Sequence, residues 1–175
     1  MWVARVDEGY VFGDLSPASV DTLKGVPMLA ASSDERVKKR LLPETCADAE
    51  AERQWRQHAV PELERLFASH AQIVENDLAG LRPMPKAKAK AKHQLLLIPH
   101  AHTDAWLAAL NAARLALFEL NGLTAEAMDA DGFAQAAPKQ QEALLRIHLL
   151  AELQSVLLGD LDMESAGPLA DLPLG

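Results

Sequence analysis

A single cysteine, Cys46, stands in 175 residues. It excludes an internal disulfide framework and suits a reducing compartment. No uninterrupted apolar run approaches the roughly 18 residues that span a bilayer. Even the most apolar stretch is interrupted by Asn111 and Arg114. A charged start followed by an apolar run and a small-residue cleavage site is missing, so no secretion signal is expected. A glycine-rich phosphate loop, a CxxC motif and a supportable Ser-His-Asp arrangement are missing too. These absences predict a cytoplasmic protein without a cofactor. The length predicts one domain over 1–159, followed by a frayed C-terminal tail over 160–175.

Charge is scarce on the positive side, and the net value is −8. An acidic body repels nucleic acid and anionic membrane at long range. Arg82, Lys86, Lys88, Lys90 and Lys92 form a basic run with no acid among them, and Arg36, Lys38, Lys39 and Arg40 form a shorter basic patch. The longer run has no interleaved aromatic for base stacking, so nucleic acid is not an expected partner. The run 82–92 reads as a low-complexity connector, with a charged strand edge as the weaker alternative.

What is present is mostly helical periodicity. In Thr103–Leu120 (TDAWLAALNAARLALFEL), Trp106, Leu110, Leu117 and Leu120 share one stripe, and Leu107, Leu115 and Phe118 widen it. The far side carries Ala108, Ala109, Ala112 and Ala116. Such a helix is expected to be buried, with a second helix close over the alanines. Thr103 is the expected cap, and Asn121-Gly122 the stop.

The other elements follow from local signals. Residues 2–13 alternate about Glu8-Gly9 and predict a β-hairpin. Ser16 caps and Pro17 opens a short helix ending near Gly25. Val26 to Pro43 reads as a loop with at most one helical turn. Glu44 to Ala59 reads as helix anchored on Trp55. Pro61 either kinks one long helix or opens a second one. The spacing of Leu63, Leu66, Phe67, His70, Ile73, Val74 and Leu78 predicts helix up to Gly80. His93 to Ile98 predicts a third strand, partnered by the hairpin. A short capped helix follows over 124–131. The last helix opens at Pro138 and ends at Gly159, with His148, Glu152 and Ser155 on one polar stripe. The predicted class is α+β, predominantly α: a bundle around the apolar helices 103–121 and 138–158, with the 61–80 helix against them and a small antiparallel sheet from 2–13 and 94–98.

Two constellations invite chemistry. His100-Ala-His102-Thr-Asp104 follows an apolar strand, where paired imidazoles can converge on a metal. Further ligands would have to come from His58, His70, His93 or His148, none of which lies in a second tight motif. The plainer reading has Thr103 and Asp104 serving the helix N-terminus, with the histidines lining a surface turn. Arg114 falls within the leucine stripe, with Asn111 at its edge. It is either an anchor for a carboxylate or phosphate, or a structural ion pair with Glu152, Glu142 or an acid near Glu50. The structural reading is the stronger, with Asn111 serving a neighbouring backbone group. Cys46 lacks a histidine partner and is read as inert. His148 and Glu152, four apart, are read as a solvated helix edge before an acid–base pair.

Three blocks carry a resemblance: RLLPETCADAEAERQWRQHAVPEL (40–63), WLAALNAARLALFELNGLT (106–124) and ALLRIHLLAELQSVLL (143–158). Together they resemble a family of small bacterial proteins classed as a domain of unknown function. The pattern is carried by Arg40 to Pro43, then by Trp106, Leu107, Leu110, Asn111, Arg114, Leu115 and Leu117, then by Leu153-Gln154. The chain departs from it at Ala112, where an acid is usual, and at Glu119, where a second arginine is usual. The resemblance implies a helical bundle with a small sheet and no established activity. Some members are encoded beside the adaptor of the Clp protease. The leading expectation is a non-enzymatic interaction or regulatory protein, with Trp106, Asn111 and Arg114 as its structural or interaction residues. A homodimer and a link to the Clp machinery are the partners it suggests. The alternative is a metal-dependent or acid–base enzyme using the His93–Asp104 region.

Overall fold

A computed structural model describes residues 1–84 and 93–159. The chain opens with β1 (Trp2–Val6) and β2 (Gly9–Leu15), then the short helices α1 (Pro17–Lys24), α2 (Val26–Ala30) and α3 (Glu35–Leu41). The long helix α4 (Ala49–Ala79) leads to β3 (Arg82–Pro83), and β4 (Gln94–Pro99) runs into α5 (Thr103–Leu120). Helices α6 (Ala130–Gln135) and α7 (Pro138–Leu158) complete the described fold. The class is α+β and predominantly α, as the sequence predicts.

The sheet is antiparallel throughout, in the order β1-β2-β4-β3. The predicted hairpin and third strand pair directly, with Tyr10 opposite Ile98 and Phe12 opposite Leu96. The register slips between Phe12 and Leu15. There Asp14 takes φ 58°, a left-handed conformation that aspartate tolerates better than most residues. Phe12, Leu96 and Ile98 are buried against the helices.

Helix α5 is the hub. It packs against α2, α3, α4 and α7. Trp106, Leu110, Ala113 and Leu117 are buried on one side; Ala105, Ala109, Ala112 and Ala116 are buried on the flank beside it. Fully burying a Trp or Leu side chain contributes about 2–3 kcal/mol, so this helix anchors the core. The third side faces outward. Asp104 and Asn111 are exposed there, and Leu107, Ala108, Arg114, Leu115 and Phe118 are only half-buried.

Five local expectations are corrected. Residues 26–43 hold two helices, not a loop: α2 begins with Pro27 in its first turn, and Asp34 caps α3 by accepting from Arg36 N. Residues 44–48 are not helical, because Asp48 caps α4 through Ala51 N at 2.9 Å. Of the two alternatives left open at Pro61, the structure has the single long helix, with α4 running through it. Thr103 is not a cap, since a tight turn over His100–His102 places it already inside α5. Residues 124–131 hold only a tight turn at Glu126–Met128, and α6 starts at Ala130. Arg82 and Pro83, read as connector, pair with Leu95 and Gln94 as an edge strand. The lysine-alanine repeat itself, 85–92, and the expected tail, 160–175, lie outside the described residues.

Helix α4 is held unevenly. From Ala49 to His70 no residue is fully buried, and Leu66 is 47% exposed. Only Ala71, Val74 and Leu78 enter the core.

Candidate functional site

Helices α5 and α7 lie antiparallel, with polar contacts at both ends of the pair. Gln140 Nε2 donates to the carbonyls of Asn121 and Gly122 at 3.3 Å. Near the other end, Gln154 Nε2 donates to Leu107 O at 3.5 Å, while its Oε1 accepts from Arg114 Nη1 at 2.6 Å. The guanidinium therefore rests on an amide. Its Nε is enclosed and has no hydrogen-bond partner.

This corrects the expected ion pair. Glu142 pairs with Arg146 at 2.7 Å, and Glu50 with Arg53, each on its own helix. Glu152 is exposed on a different side of α7 from Gln154. No carboxylate among the described residues lies within ion-pair distance of Arg114. Asn111 is exposed and forms no hydrogen bond there, so it does not serve a neighbouring backbone group. From Asp104 to Glu119, Arg114 is the only charge between. It sits on an outward face framed by Leu107, Leu115 and Phe118, with Leu158 of α7, 58% exposed, one turn beyond Gln154. Glu119, where the resemblance has an arginine, faces Arg40 at 3.7 Å and so ties α3 to α5.

The histidine cluster does not assemble. His100 Nε2 lies 3.2 Å from Val6 O, and its ring meets Tyr10 edge-on at 5.3 Å. His102 turns the other way, its Nδ1 at 2.9 and 3.0 Å from the two oxygens of Asp77. Asp104 is exposed in the first turn of α5, where its charge suits the helix dipole. Among the described residues, no three His, Cys, Asp or Glu side chains gather as a metal site would need. His93 pairs instead with Asp14 at 2.5 Å, across the sheet bulge.

Asp77 is the residue that sequence reasoning missed. Its side chain is only 9% exposed, and it also accepts from the buried Trp106 Nε1 at 2.8 Å. One carboxylate thus joins the end of α4 to the start of α5. A signal was available: an acid in the last turn of a helix opposes the dipole and needs another reason to be there. Gln154 was visible only through the Leu-Gln pair of the resemblance.

Away from both clusters, Glu52 Oε2 accepts from Thr45 N and Cys46 N at 3.0 Å. Those two backbone donors, Cys46 first, hold its carboxyl below the usual carboxylate range, with Arg56 adding to the effect. Cys46 is a free thiol, and Thr45 Oγ1 is 3.7 Å from its sulfur. A cleft of about 540 Å³ between α3 and α4 carries charges of both signs, among which Lys38 and Glu64 pair at 3.2 Å.

A family model described as domain of unknown function DUF2017 matches residues 9–161. The chain belongs to that family. The match takes in β2, β3 and β4 of the sheet, the hub helix and the Arg114–Gln154 contact between two of the resemblance blocks, and leaves β1 outside. No curated protein and no solved structure matches the chain. No helix among the described residues is long and apolar enough to cross a membrane.

Proposed function

We propose that this member of the DUF2017 family is a non-enzymatic, cytoplasmic interaction module that takes a partner protein on the outward face of α5. The reading is carried by Arg114, a half-buried guanidinium that has, among the described residues, only the Gln154 amide for a partner and no carboxylate opposite it. An arginine and an exposed asparagine framed by leucines and a phenylalanine have the composition of an interface centre. A planar fork with free donors selects a carboxylate, which it can grip with two parallel hydrogen bonds. Trp106, beneath this face, serves architecture through Asp77.

The test compares proteins captured from bacterial extract by wild type, Arg114→Leu and Asn111→Ala, with Clp components included as candidates. A partner retained by wild type and lost with Arg114→Leu, at unchanged melting temperature, is the expected result. Identical capture by all three would overturn the reading. Sedimentation across a concentration series asks whether the partner is a second copy.

A second reading has one observation in its favour. Asp77 fixes His102 through Nδ1, which leaves Nε2 turned outward, the arrangement that orients a general base. His102→Gln would abolish any hydrolytic or proton-transfer activity found in a substrate screen, and stoichiometric zinc or iron in untagged protein would point the same way.

A further inference from the structure

Resting on the reading of the α5 face as a docking surface, we infer that its resident occupant is this chain's own segment 160–175. The first argument is charge complementarity. The segment carries Asp160, Asp162, Glu164 and Asp171 and no lysine, arginine or histidine. It also carries Leu161, Met163, Leu169, Leu172 and Leu174. Carboxylates interspersed with flexible apolar side chains match one guanidinium that has only the Gln154 amide for a partner, framed by Leu107, Leu115, Phe118 and Leu158 and set about three turns along α5 from the exposed Asp104.

The second argument is where the segment starts. Because α7 is antiparallel to α5, its last turn lies beside the first turns of α5, as the Gln154–Leu107 contact shows. Gly159, at φ 79°, ends α7 in a left-handed cap that turns the chain out of the helix direction. Leu158, exposed at that exit, begins the apolar frame. From the first turn of α5 to Arg114 is about ten residues, or roughly 15 Å at the helical rise. Five extended residues after Gly159 span about 16–18 Å. That reach brings Asp162 or Glu164 to the guanidinium, where a carboxylate would take the Nη donors that Gln154 leaves free, since Nε itself is enclosed.

The third argument is concentration. A short tether presents the segment to the face at an effective concentration in roughly the millimolar range. A modest contact is therefore populated, and an outside partner must displace it. An acidic partner approaching an acidic protein meets repulsion, whereas a tethered segment pays none of the cost of encounter.

The test uses the full chain throughout. A synthetic peptide of residues 160–175 is titrated into wild type, into a variant with the segment's charges removed (Asp160→Asn, Asp162→Asn, Glu164→Gln and Asp171→Asn), and into that variant combined with Arg114→Gln or Arg114→Lys. The neutralised chain is expected to bind the peptide about tenfold or more tightly than wild type, whose own segment competes. Adding Arg114→Gln should abolish binding, and Arg114→Lys should restore only part of it. Amide hydrogen exchange on wild type should show slowed exchange in 160–175 that is lost with Arg114→Gln. Equal binding by wild type and the neutralised chain, or none by either, would overturn the inference. So would binding that survives Arg114→Gln, or inorganic phosphate displacing the peptide while a carboxylate such as acetate does not. A concentration-dependent dimer that disappears on neutralisation would also overturn the intramolecular form. None of these failures removes the docking surface itself, which stands or falls on capture by wild type against Arg114→Leu.

Discussion

Replacing Asp77 with alanine removes the one acceptor shared by Trp106 and His102. Trp106 is fully buried, so its Nε1, now 2.8 Å from a carboxylate oxygen, would face no partner and no water. An orphaned buried donor costs about 1–3 kcal/mol. The His102 contact contributes less, because that side chain is 37% exposed and solvent screens it. Lost packing of a nearly buried side chain adds about 1 kcal/mol. The expected cost is about 3–4 kcal/mol, or a fall of roughly 6–16 °C in melting temperature for a chain of this size. Asp77→Asn keeps one acceptor and should cost roughly half as much. The decisive measurement is a double-mutant cycle in thermal or denaturant unfolding with Trp106→Phe, whose ring has no donor to orphan. In that background the cost of Asp77→Ala should shrink by at least about 1 kcal/mol. An Asp77→Ala variant that melted within about 2 °C of wild type, or strict additivity in the cycle, would refute the account of α4 and α5 joined through this carboxylate.

Arg114→Leu should cost less than about 2 kcal/mol, because it removes an unpaired Nε along with one hydrogen bond to an amide; a loss as large as that of a broken buried ion pair, read by denaturant titration, would mean that a carboxylate partner is present. Pro61→Ala should stabilise the protein by about 1–3 kcal/mol, since it returns a hydrogen bond to the interior of a 31-residue helix, and an unchanged melting temperature would contradict that. Glu52 has a folded pKa below its ordinary 4.5. Its hold on residues 45 and 46 is therefore complete above the ordinary value and is lost as pH falls through the lowered one. At constant neutral pH, Glu52→Gln should speed labelling of Cys46 by a thiol reagent; equal rates would show that the carboxylate does not fix that loop.

The hub helix was legible because its signals are local: an apolar period, a run of alanines and an Asn-Gly stop. The hairpin and the last helix were legible for the same reason. Helices α2 and α3, of five and seven residues, are too short to be stable alone; Val26, Ala30 and Val37 form helix because burial against their neighbours rewards it. Thr103 looked like a cap only because the turn before it, His100–His102, carries no sequence signature of its own. The polar site was less legible. Arg114 stood out in the leucine stripe, but its partner depends on which face of α7 meets α5, and Glu152 and Gln154, two residues apart, point to different sides. Asp77 joined the site through a contact spanning 29 residues that no period or cap encodes.

The uneven seating of α4 makes it a beam clamped at one end. Its last three turns are gripped by the core and by Asp77, while the preceding stretch from Ala49 leans on its neighbours without being enclosed. Fluctuations must grow with distance from the clamp, so amide opening should be rarest near Val74 and commonest near Glu50. A pull applied at Trp55 would be transmitted along the rod to the Asp77 joint, and from there to the foot of the helix that bears Arg114.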